Sequence, residues 1–410
     1  MGGLLALGLL GTAGAREWPR FRGPNGTGRG IAPGLPVRWG TNDYRWTVKL
    51  PGPGHSSPVL WGRRLFVNCA APDGKSTLTV ALDADTGRLL WRHTFPGGGY
   101  RLHRNNTFAT STPAADAERV YVAYENGDQA ALAALDHAGE PAWEFPLRTV
   151  KFQHGLGHSP IVDGDLVIFS DDQILPGRIV ALEAATGKLR WEAPRRAGRA
   201  DYSTPCRHQP PDGPAALVFN SQENGITAFD PGSGRLLWQS KRVLDKRCVS
   251  SAVVADGLLI STCGSGGGGN YVVALRPPDQ PGAAPEVAWT LRRSAPYVPT
   301  PLAVGRLLFL WSDGGIVSCV EAATGKTLWR KRVGGNFFSS PVYTDGKLFG
   351  VSTTGEVVVL AATDHFTLLG RTELGEQCHA TPAIARGAIY FRTLTRLCCL
   401  PGRAAPSPTP

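Results

Sequence analysis

A short block recurs eight times along this chain and limits the folds that the chain can adopt. Each copy has a polar residue, most often Ser or Thr, then Pro, then an apolar strand, and Ala252 replaces the proline in the fifth copy. The third position of the block falls at residues 58, 113, 160, 205, 252, 301, 341 and 382. Self-similarity at intervals of 40 to 55 residues indicates a repeat architecture. No helical periodicity of useful length accompanies it, so we expect an all-β protein.

A second block lies between the copies of the first. It contains an acidic residue, a Thr-Gly or Ser-Gly turn and a strand with Trp. Its clearest copies are Asp83–Trp91, Glu183–Trp191, Asp230–Trp238 and Glu321–Trp329. Trp143 and Trp289 lie in altered copies, and the copy ending near Leu369 has lost its Trp. An acidic side chain can bond neighbouring backbone N–H groups, and Gly accepts positive φ, so the turn predicts a tight hairpin. We expect each Trp ring to pack against the adjacent repeat.

The two ends of the array complement each other. Tyr44–Lys49 resembles the Trp strand alone, whereas the last repeat lacks such a strand. An N-terminal strand that completes the last sheet would close a ring and remove its free edges. We therefore predict an eight-bladed β-propeller of four-stranded antiparallel blades over residues 44–401. Its first blade is predicted to have strands at 58–61, 64–69, 77–83 and 88–94.

Three flanking segments complete the predicted organisation. Residues 1–15 form a short apolar run ending in Ala13-Gly14-Ala15, which is typical of a signal peptide and too short to span a bilayer. Residues 16–43, the lead segment, precede the propeller, and residues 402–410 are predicted to be a disordered Pro-rich tail. The chain is expected to be exported to the periplasm or cell envelope, without spanning the membrane, and to be monomeric.

The formal net charge of +10 does not by itself indicate a nucleic-acid partner. Basic residues are spread along the chain, with small clusters at Arg195-Arg196, Lys246-Arg247, Arg292-Arg293 and 330–332. A nucleic-acid binder would concentrate them on one stripe with interleaved aromatic residues. We interpret these clusters as solvated loops and expect no nucleic-acid binding.

The block Ala-x-Asp-x-x-Thr-Gly-x-x-x-Trp, seen at 81–91, resembles the tryptophan-docking motif of the pyrroloquinoline-quinone (PQQ) propeller family over about residues 44–401. Trp18–Gly28 resembles the N-terminal lead of exported bacterial PQQ-like repeat proteins. In that family the motif's Trp stacks between blades, so the resemblance implies architecture and not catalysis. The family includes dehydrogenases that use PQQ with calcium and an acidic base to oxidise alcohols or sugars. It also includes cofactor-free propellers of outer-membrane protein assembly, and other exported propellers that bind a protein or a polymer.

The eight cysteines are compatible with an oxidising compartment. They are Cys69, Cys206, Cys248, Cys263, Cys319, Cys378, Cys398 and Cys399. Their spacing does not match a zinc site, and we interpret several as buried apolar residues. In the family's alcohol-oxidising members, adjacent cysteines early in the propeller form a disulfide lid. Cys398-Cys399 lies late in the last repeat, where strand alternation directs the two side chains to opposite faces. We interpret this pair as structural.

Several acidic residues are candidates for a calcium–quinone site, which needs oxygen ligands that converge at one mouth of the channel. They are Glu125, Asp128, Asp171, Asp172 and Glu223. Because loops that connect strands are normally exposed, we interpret them as surface residues.

Three histidines, His55, His158 and His379, lie at or just before the recurring Pro block, near the start of each blade's innermost strand. They could bind a metal or a polar ligand, but only His55 and His379 belong to adjacent blades. We therefore expect hydrogen bonds that line the channel. Gly264–Asn270 lies between two predicted strands and is interpreted as a hairpin rather than a phosphate loop. Residues 92–112 form the longest inter-blade connection, either a recognition loop or a disordered insertion.

Together these observations favour an exported protein-interaction scaffold of the PQQ-like class that works through protein partners in the cell envelope. The resemblance implies a role in outer-membrane protein assembly. No catalytic, cofactor-binding or metal-binding residue is assigned, and no cofactor is expected. The alternative is a dehydrogenase that uses PQQ and calcium and has a divergent site.

Overall fold

The computed structural model describes residues 17–98, 102–103, 105–127, 129–147, 149, 151, 154–210, 213–278 and 282–403. Thirty-two strands form eight four-stranded sheets, and every paired strand within them is antiparallel. This confirms the predicted eight-bladed all-β propeller. The predicted signal peptide and most of the predicted tail lie outside the described residues. Within these residues, the helical segments are the short 3-10 turns Pro24–Gly26 and Thr41–Asp43.

The strands follow one order in every blade, with the first strand innermost, because first strands of neighbouring blades contact one another. Blade 1 contains β2 (Val59–Trp61), β3 (Arg64–Ala70), β4 (Thr77–Asp83) and β5 (Leu89–Phe95). Blade 2 contains β6 (Ala114–Ala115), β7 (Arg119–Asn126), β8 (Gln129–Asp136) and β9 (Pro141–Pro146). Blade 3 contains β10 (Ile161–Asp163), β11 (Leu166–Ser170), β12 (Gly177–Glu183) and β13 (Leu189–Arg195). Blade 4 contains β14 (Cys206–His208), β15 (Ala216–Ser221), β16 (Gly225–Phe229) and β17 (Leu236–Gln239).

The second half of the ring repeats this arrangement. Blade 5 contains β18 (Val253–Ala255), β19 (Leu258–Cys263), β20 (Tyr271–Arg276) and β21 (Glu286–Leu291). Blade 6 contains β22 (Leu302–Val304), β23 (Leu307–Trp311), β24 (Ile316–Glu321) and β25 (Thr327–Arg332). Blade 7 contains β26 (Val342–Thr344), β27 (Lys347–Val351), β28 (Glu356–Ala361) and β29 (Leu368–Glu373). Blade 8 contains β30 (Ala383–Ala385), β31 (Ala388–Arg392), β32 (Arg396–Pro401) and the N-terminal strand β1 (Trp46–Lys49).

The ring closes through β1, as predicted. This strand pairs antiparallel with β32, with Trp46 opposite Cys399 and Lys49 opposite Arg396. The outer edge of blade 8 is thus made by the N-terminal part of the chain. Because its partner comes from the other end of the chain, this pairing joins the first and last blades into one closed structure.

The recurring Ser or Thr forms a hydrogen-bonded belt around the channel. The backbone N–H of one blade donates to the hydroxyl of the equivalent residue in the next blade at seven of the eight junctions, at 2.9–3.1 Å. The donor and acceptor pairs are Ser57–Thr112, Thr112–Ser159, Thr204–Ser251, Ser251–Thr300, Thr300–Ser340, Ser340–Thr381 and Thr381–Ser57. These residues are buried, so each bond satisfies polar atoms that cannot reach water. The recurrence of a hydroxyl in the sequence is explained by this belt.

Six of the repeat Trp residues dock on the turn of the next blade, as predicted. Trp191 Nε1 donates to Pro231 O at 2.9 Å, and the ring lies on Gly234, whose φ is +69°. A Cβ on Gly234 would overlap the indole, so the positive φ and the close approach both require glycine. The same indole-to-carbonyl bond joins Trp46 to Ala84, Trp91 to His137, Trp143 to Ala184, Trp289 to Ala322 and Trp329 to Thr363.

The structure also explains the repeat that lacks its Trp. Gly370 stands opposite Val359, the position that Trp329 holds opposite Cys319 in the preceding blade. The backbone of Val37, in the lead segment, passes directly over Gly370, where a Cβ would overlap the Val37 carbonyl oxygen. The lead segment therefore occupies the space that a Trp ring would need.

Candidate functional site

The two ends of the central channel are covered differently. The innermost strands end at one face of the ring, and the lead segment lies across that face. We call this end the lead face. Trp18 pairs with Leu60 of blade 1, and Ala115 N of blade 2 donates to Pro19 O at 2.8 Å. Farther along the segment, Asn25 bonds the backbone of Arg207 in blade 4, and Gly30 N donates to Tyr343 O in blade 7. These contacts reach around the ring, so residues 17–30 close this end of the channel.

Arg22 anchors the lead segment. Its side chain is fully buried, and its guanidinium donates to Gly26 O within the segment at 3.1 Å. It also donates to Pro301 O of blade 6 at 3.0 Å and to Pro341 O of blade 7 at 3.1 Å. Burial lowers the pKa of Arg22. Sequence reasoning noticed this segment only as a family resemblance and assigned no role to Arg22. Two arginines alternating with aromatic and glycine residues just before the first blade were the available signal.

The opposite end, which we call the histidine face, carries the three candidate histidines. The rings of His55 and His379 stack with centroids 4.3 Å apart, as expected for adjacent blades. Burial, together with His379 and Arg392, lowers the pKa of His55 to about 3, so it is neutral at pH 7. His158 lies elsewhere, against Phe169 and Tyr202. The three histidines therefore do not share a site. In the part of the chain that the structure describes, no three His, Cys, Asp or Glu side chains are close enough to hold a metal ion.

His158 should make the protein more sensitive to acid. Burial lowers its pKa to about 4 from 6.5, so the unfolded chain binds the proton more tightly and stability falls as the pH drops below 6.5. Burial raises the pKa of Asp171 to about 7 and of Asp201 to about 8, which acts in the opposite direction over the same range. Because both carboxylates are present in wild type and in His158→Gln, the difference between these two proteins isolates the effect of His158. Between pH 6.5 and pH 5 the free energy of unfolding of the wild type should fall by about 1.5 kcal/mol relative to that of the variant, as measured by urea titrations.

The control for this measurement is Phe309→Leu, a buried substitution in blade 6 that removes no titratable group. Its stability difference from wild type should not change over the same pH interval. A His158→Gln difference that is equally constant would contradict the role assigned to burial of His158.

The acidic pair after β11 is not on the surface, so that prediction is wrong. Asp171 and Asp172 are both buried, and Asp172 accepts from Arg195 Nε at 2.7 Å and Nη2 at 2.9 Å. Arg195 lies at the end of β13 and also donates to Thr227 Oγ1 and Ser221 Oγ in blade 4. The loop turns inward because this buried cation provides a counter-charge between two blades. Arg195 is accordingly not a solvated residue either, contrary to the prediction for its basic cluster.

The other candidate carboxylates bond to backbone or lie apart. Asp171 Oδ1 accepts from Arg178 N, and Glu125, also buried rather than exposed, accepts from Leu156 N at 3.0 Å. Glu223 is half-buried, and Asp128 lies outside the described residues. Asp201, which the sequence did not single out, accepts backbone bonds from Gln222 and Cys248.

These residues do not fit calcium-bound PQQ. The Asp172 carboxylate is bonded to a buried guanidinium, and the other candidates within the described residues do not converge on one point. The cavity lined by residues that include Asn68, Tyr124 and Glu125 has a volume of about 10 Å³, which is enough for one water molecule. Small-molecule cofactor sites usually need several hundred Å³. A larger groove of about 410 Å³ lies between the outer strands β13 and β17, away from the axis.

An aromatic and cationic cluster occupies the histidine face between blades 3 and 5. The buried Arg247 contacts His154 Nε2 at 2.7 Å and lies over the Tyr202 ring at 5.8 Å, so the prediction that its basic cluster is solvated is wrong here too. His103 stacks edge-on to His154, with ring centroids 4.7 Å apart. His103 and Asn106 belong to the 92–112 connection, whose described part therefore contacts blade 3. Residues 99–101 and 104 of it lie outside the described residues.

Two minor interpretations agree with the structure. Gly264–Asn270 connects β19 to β20, as predicted for a hairpin. Cys398 and Cys399 are successive residues of β32, where they stand opposite Phe391 and Tyr390. All eight cysteines lie among the described residues, where each is buried and unpaired.

Comparisons with known proteins give two kinds of relative. The family described as "Outer membrane protein assembly factor BamB" matches residues 39–208, 222–368 and 312–399. BamB of Yersinia pestis is 22% identical over 340 residues, which cover 81% of this chain and 70% of that protein. Polyvinylalcohol dehydrogenase of a Pseudomonas species is 23% identical over 359 residues, which cover 80% of this chain and 51% of that protein. This chain thus spans about half of that dehydrogenase.

Solved structures of both kinds share the fold. BamB from Moraxella catarrhalis superposes with a TM-score of 0.62 at 14% identity, covering 88% of this chain and 98% of that one. Quinohemoprotein alcohol dehydrogenase from Comamonas testosteroni gives 0.69 at 13% identity, covering 97% and 82%. At such identities the likeness concerns the fold alone. Among the described residues, no helix is long and apolar enough to cross a membrane.

Proposed function

This chain belongs to the family of the outer membrane protein assembly factor BamB, and we propose that it is a non-catalytic scaffold of the cell envelope. In this proposal it is exported without an intrinsic cofactor and binds a protein partner during outer-membrane protein assembly. The observation that carries the proposal is the buried bond between Asp172 and Arg195. A carboxylate held in this way cannot serve as a calcium ligand or a catalytic base without leaving a cation buried and unpaired.

The histidine face offers the surface that a partner would need. Ile174 and Leu175, at the tip of the loop after β11, are 37% and 38% exposed. Ile174 N bonds to Lys151 O at 3.2 Å, which brings the exposed Lys151 beside them. Arg199, which is exposed in the next inter-blade connection, lies near His154 on the same face. Adjacent apolar side chains with cations on the same face suit a protein segment with an apolar core and an acidic rim. The partner we propose is an envelope protein with such a segment.

Photo-crosslinking tests the proposal in the cells from which the protein comes. A photoreactive residue at Leu175 should give a crosslink to a component of the outer-membrane assembly machinery, identified by mass spectrometry. The control is the same residue at Leu236, which is 46% exposed on the outer strand β17. Equal labelling from both positions, or none from Leu175, would overturn the assigned surface.

A second measurement addresses the cofactor directly. Calorimetric titration of the purified protein with PQQ and calcium should give no saturable heat, because the candidate carboxylates are held in structural bonds. Saturable, calcium-dependent, near-stoichiometric binding would overturn the scaffold proposal in favour of the dehydrogenase alternative. Alcohols and sugars would then be screened as substrates.

A further inference from the structure

Two cysteines face each other across a pair of antiparallel segments. Arg247, which precedes blade 5, forms an antiparallel bridge with Gly264 at the end of β19, and Gly264 N donates to Arg247 O at 2.9 Å. This makes Arg247 and Gly264 a hydrogen-bonded pair. The bridge is isolated, and extending its antiparallel register by one residue places Cys248 opposite Cys263 at a non-hydrogen-bonded position. Residues in such pairs have Cα atoms about 4.5 Å apart and direct their side chains to the same face.

We propose that Cys248 and Cys263 form a disulfide in the exported protein. The expected Cα separation falls within the range that a disulfide requires. Both side chains belong to the same buried cluster, which also contains Tyr271 and Leu244. Burial, followed by the charges of Asp201 and Cys263, raises the pKa of Cys248, and the contribution of Cys263 is a second indication that the two sulfur atoms are neighbours. The bond would enclose a short stretch of chain that contains β18.

Other cysteines lack this geometry. Cys206 stands opposite Val218, and Cys319 stands opposite Phe309 and Trp329. Cys398 and Cys399 point to opposite faces of one strand. Cys69 stands opposite Leu78 and accepts from the Arg392 guanidinium at 3.7 Å. Cys378 lies before β30, where its thiol donates to the carbonyl oxygens of Ala380 and Arg392. The cross-strand register at Arg247 and Gly264 therefore favours the pairing of Cys248 with Cys263.

The reaction is a thiol–disulfide exchange, and it rests on the export that the proposed function requires. The two Cys thiols lose two protons and two electrons, and a disulfide of an oxidoreductase or of oxidised glutathione accepts them and becomes two thiols. Burial raises the pKa of both thiols, so few thiolates exist in the folded protein. The exchange therefore takes place during folding, before blade 5 is packed against its neighbours.

Refolding of the full chain tests the pairing without any partner. The purified protein is unfolded, reduced, refolded with reduced and oxidised glutathione, alkylated and digested for mass spectrometry with a protease that cleaves before Asp256, which separates the two cysteines into different peptides. We expect one dominant linked peptide pair that joins Cys248 to Cys263, with Cys206 and Cys319 alkylated. Alkylation of both Cys248 and Cys263, or linkage of either to another cysteine, would overturn the proposal. Neither result bears on the crosslinking from Leu175, so the two proposals fail separately.

A stability measurement gives a second readout. Oxidised wild type should melt roughly 5 °C higher than the same protein in reductant, because the bond restricts the unfolded chain. Cys248→Ala should abolish this difference, whereas the control Cys319→Ala, at another buried thiol, should retain it. If Cys248→Ala does not fold, the comparison of oxidised with reduced wild type still tests the proposal. Equal melting temperatures with and without reductant would overturn it.

Discussion

Replacing Asp172 with Ala is expected to lower the free energy of unfolding by about 4 kcal/mol, because it leaves a buried cation without its counter-charge. Arg195 is 1% exposed, and both of its bonds to Asp172 are shorter than 3.0 Å. The remaining donors reach only the hydroxyls of Ser221 and Thr227. Urea unfolding followed by tryptophan fluorescence measures the loss, and the slope with denaturant reports whether unfolding remains two-state.

The control is Asp364→Ala, which removes a carboxylate from an ion pair that water reaches. Arg306 and Asp364 are 61% and 49% exposed, although the N–O distance is 2.8 Å, so the expected loss is much smaller than that for Asp172→Ala. The double variant Asp172→Leu with Arg195→Met should recover most of the loss, since apolar residues can replace a buried pair. Equal losses for Asp172→Ala and Asp364→Ala would show that burial of Arg195 does not determine the cost.

Gly234→Ala is expected to cost about 5 kcal/mol, because the added methyl group displaces Trp191 from its docking site. The Cβ would overlap the indole ring, which also holds the 2.9 Å bond to Pro231 O. Losing the packing of a buried Trp costs about 3–5 kcal/mol, and an L residue at φ +69° adds about 1–2 kcal/mol. Thermal and urea unfolding measure the change, and the fluorescence of the native state should show a more exposed indole.

Gly257→Ala is the matched control, since it has the same backbone conformation without the steric contact. Its φ is +73°, and no atom lies within 4 Å of the added Cβ. Only the backbone cost of about 1–2 kcal/mol is expected. A loss at Gly257 as large as that at Gly234 would mean that backbone strain, and not the displacement of Trp191, accounts for the requirement for glycine.

The architecture could be predicted because short, local sequence patterns determine it. A hairpin turn, a docking Trp and a belt hydroxyl each need only a few residues in sequence, and eight repetitions make them visible. The closure by β1 followed from a strand that was present at one end and missing at the other. The proximity of His55 and His379 followed in turn from the blade count, since blades 1 and 8 are neighbours only in a closed ring.

The environments of single side chains could not be predicted in the same way. Arg195 and Arg196 are adjacent and chemically identical, yet the first is buried and the second exposed, because residues at a strand end alternate in direction. The burial of Asp172 depends on Arg195, 23 residues away, and that of Arg22 on carbonyls of Pro301 and Pro341. Contacts between residues so far apart along the chain do not produce a repeating pattern in a single sequence.

The position of the lead segment and β1 at the start of the chain sets the order in which the molecule can be assembled. Arg22 is synthesised early, but the carbonyl of Pro341 that it binds is 319 residues downstream, and β1 must wait for β32. A growing chain can form individual blades, and Trp18 and Pro19 can dock once blades 1 and 2 exist, but Arg22 lacks its blade 7 partner until that blade has been synthesised. Such long-range pairing makes folding slow. A chain that stops before residue 396 would lack β32, so β1 would have no partner and the open ring would be a ready substrate for proteases.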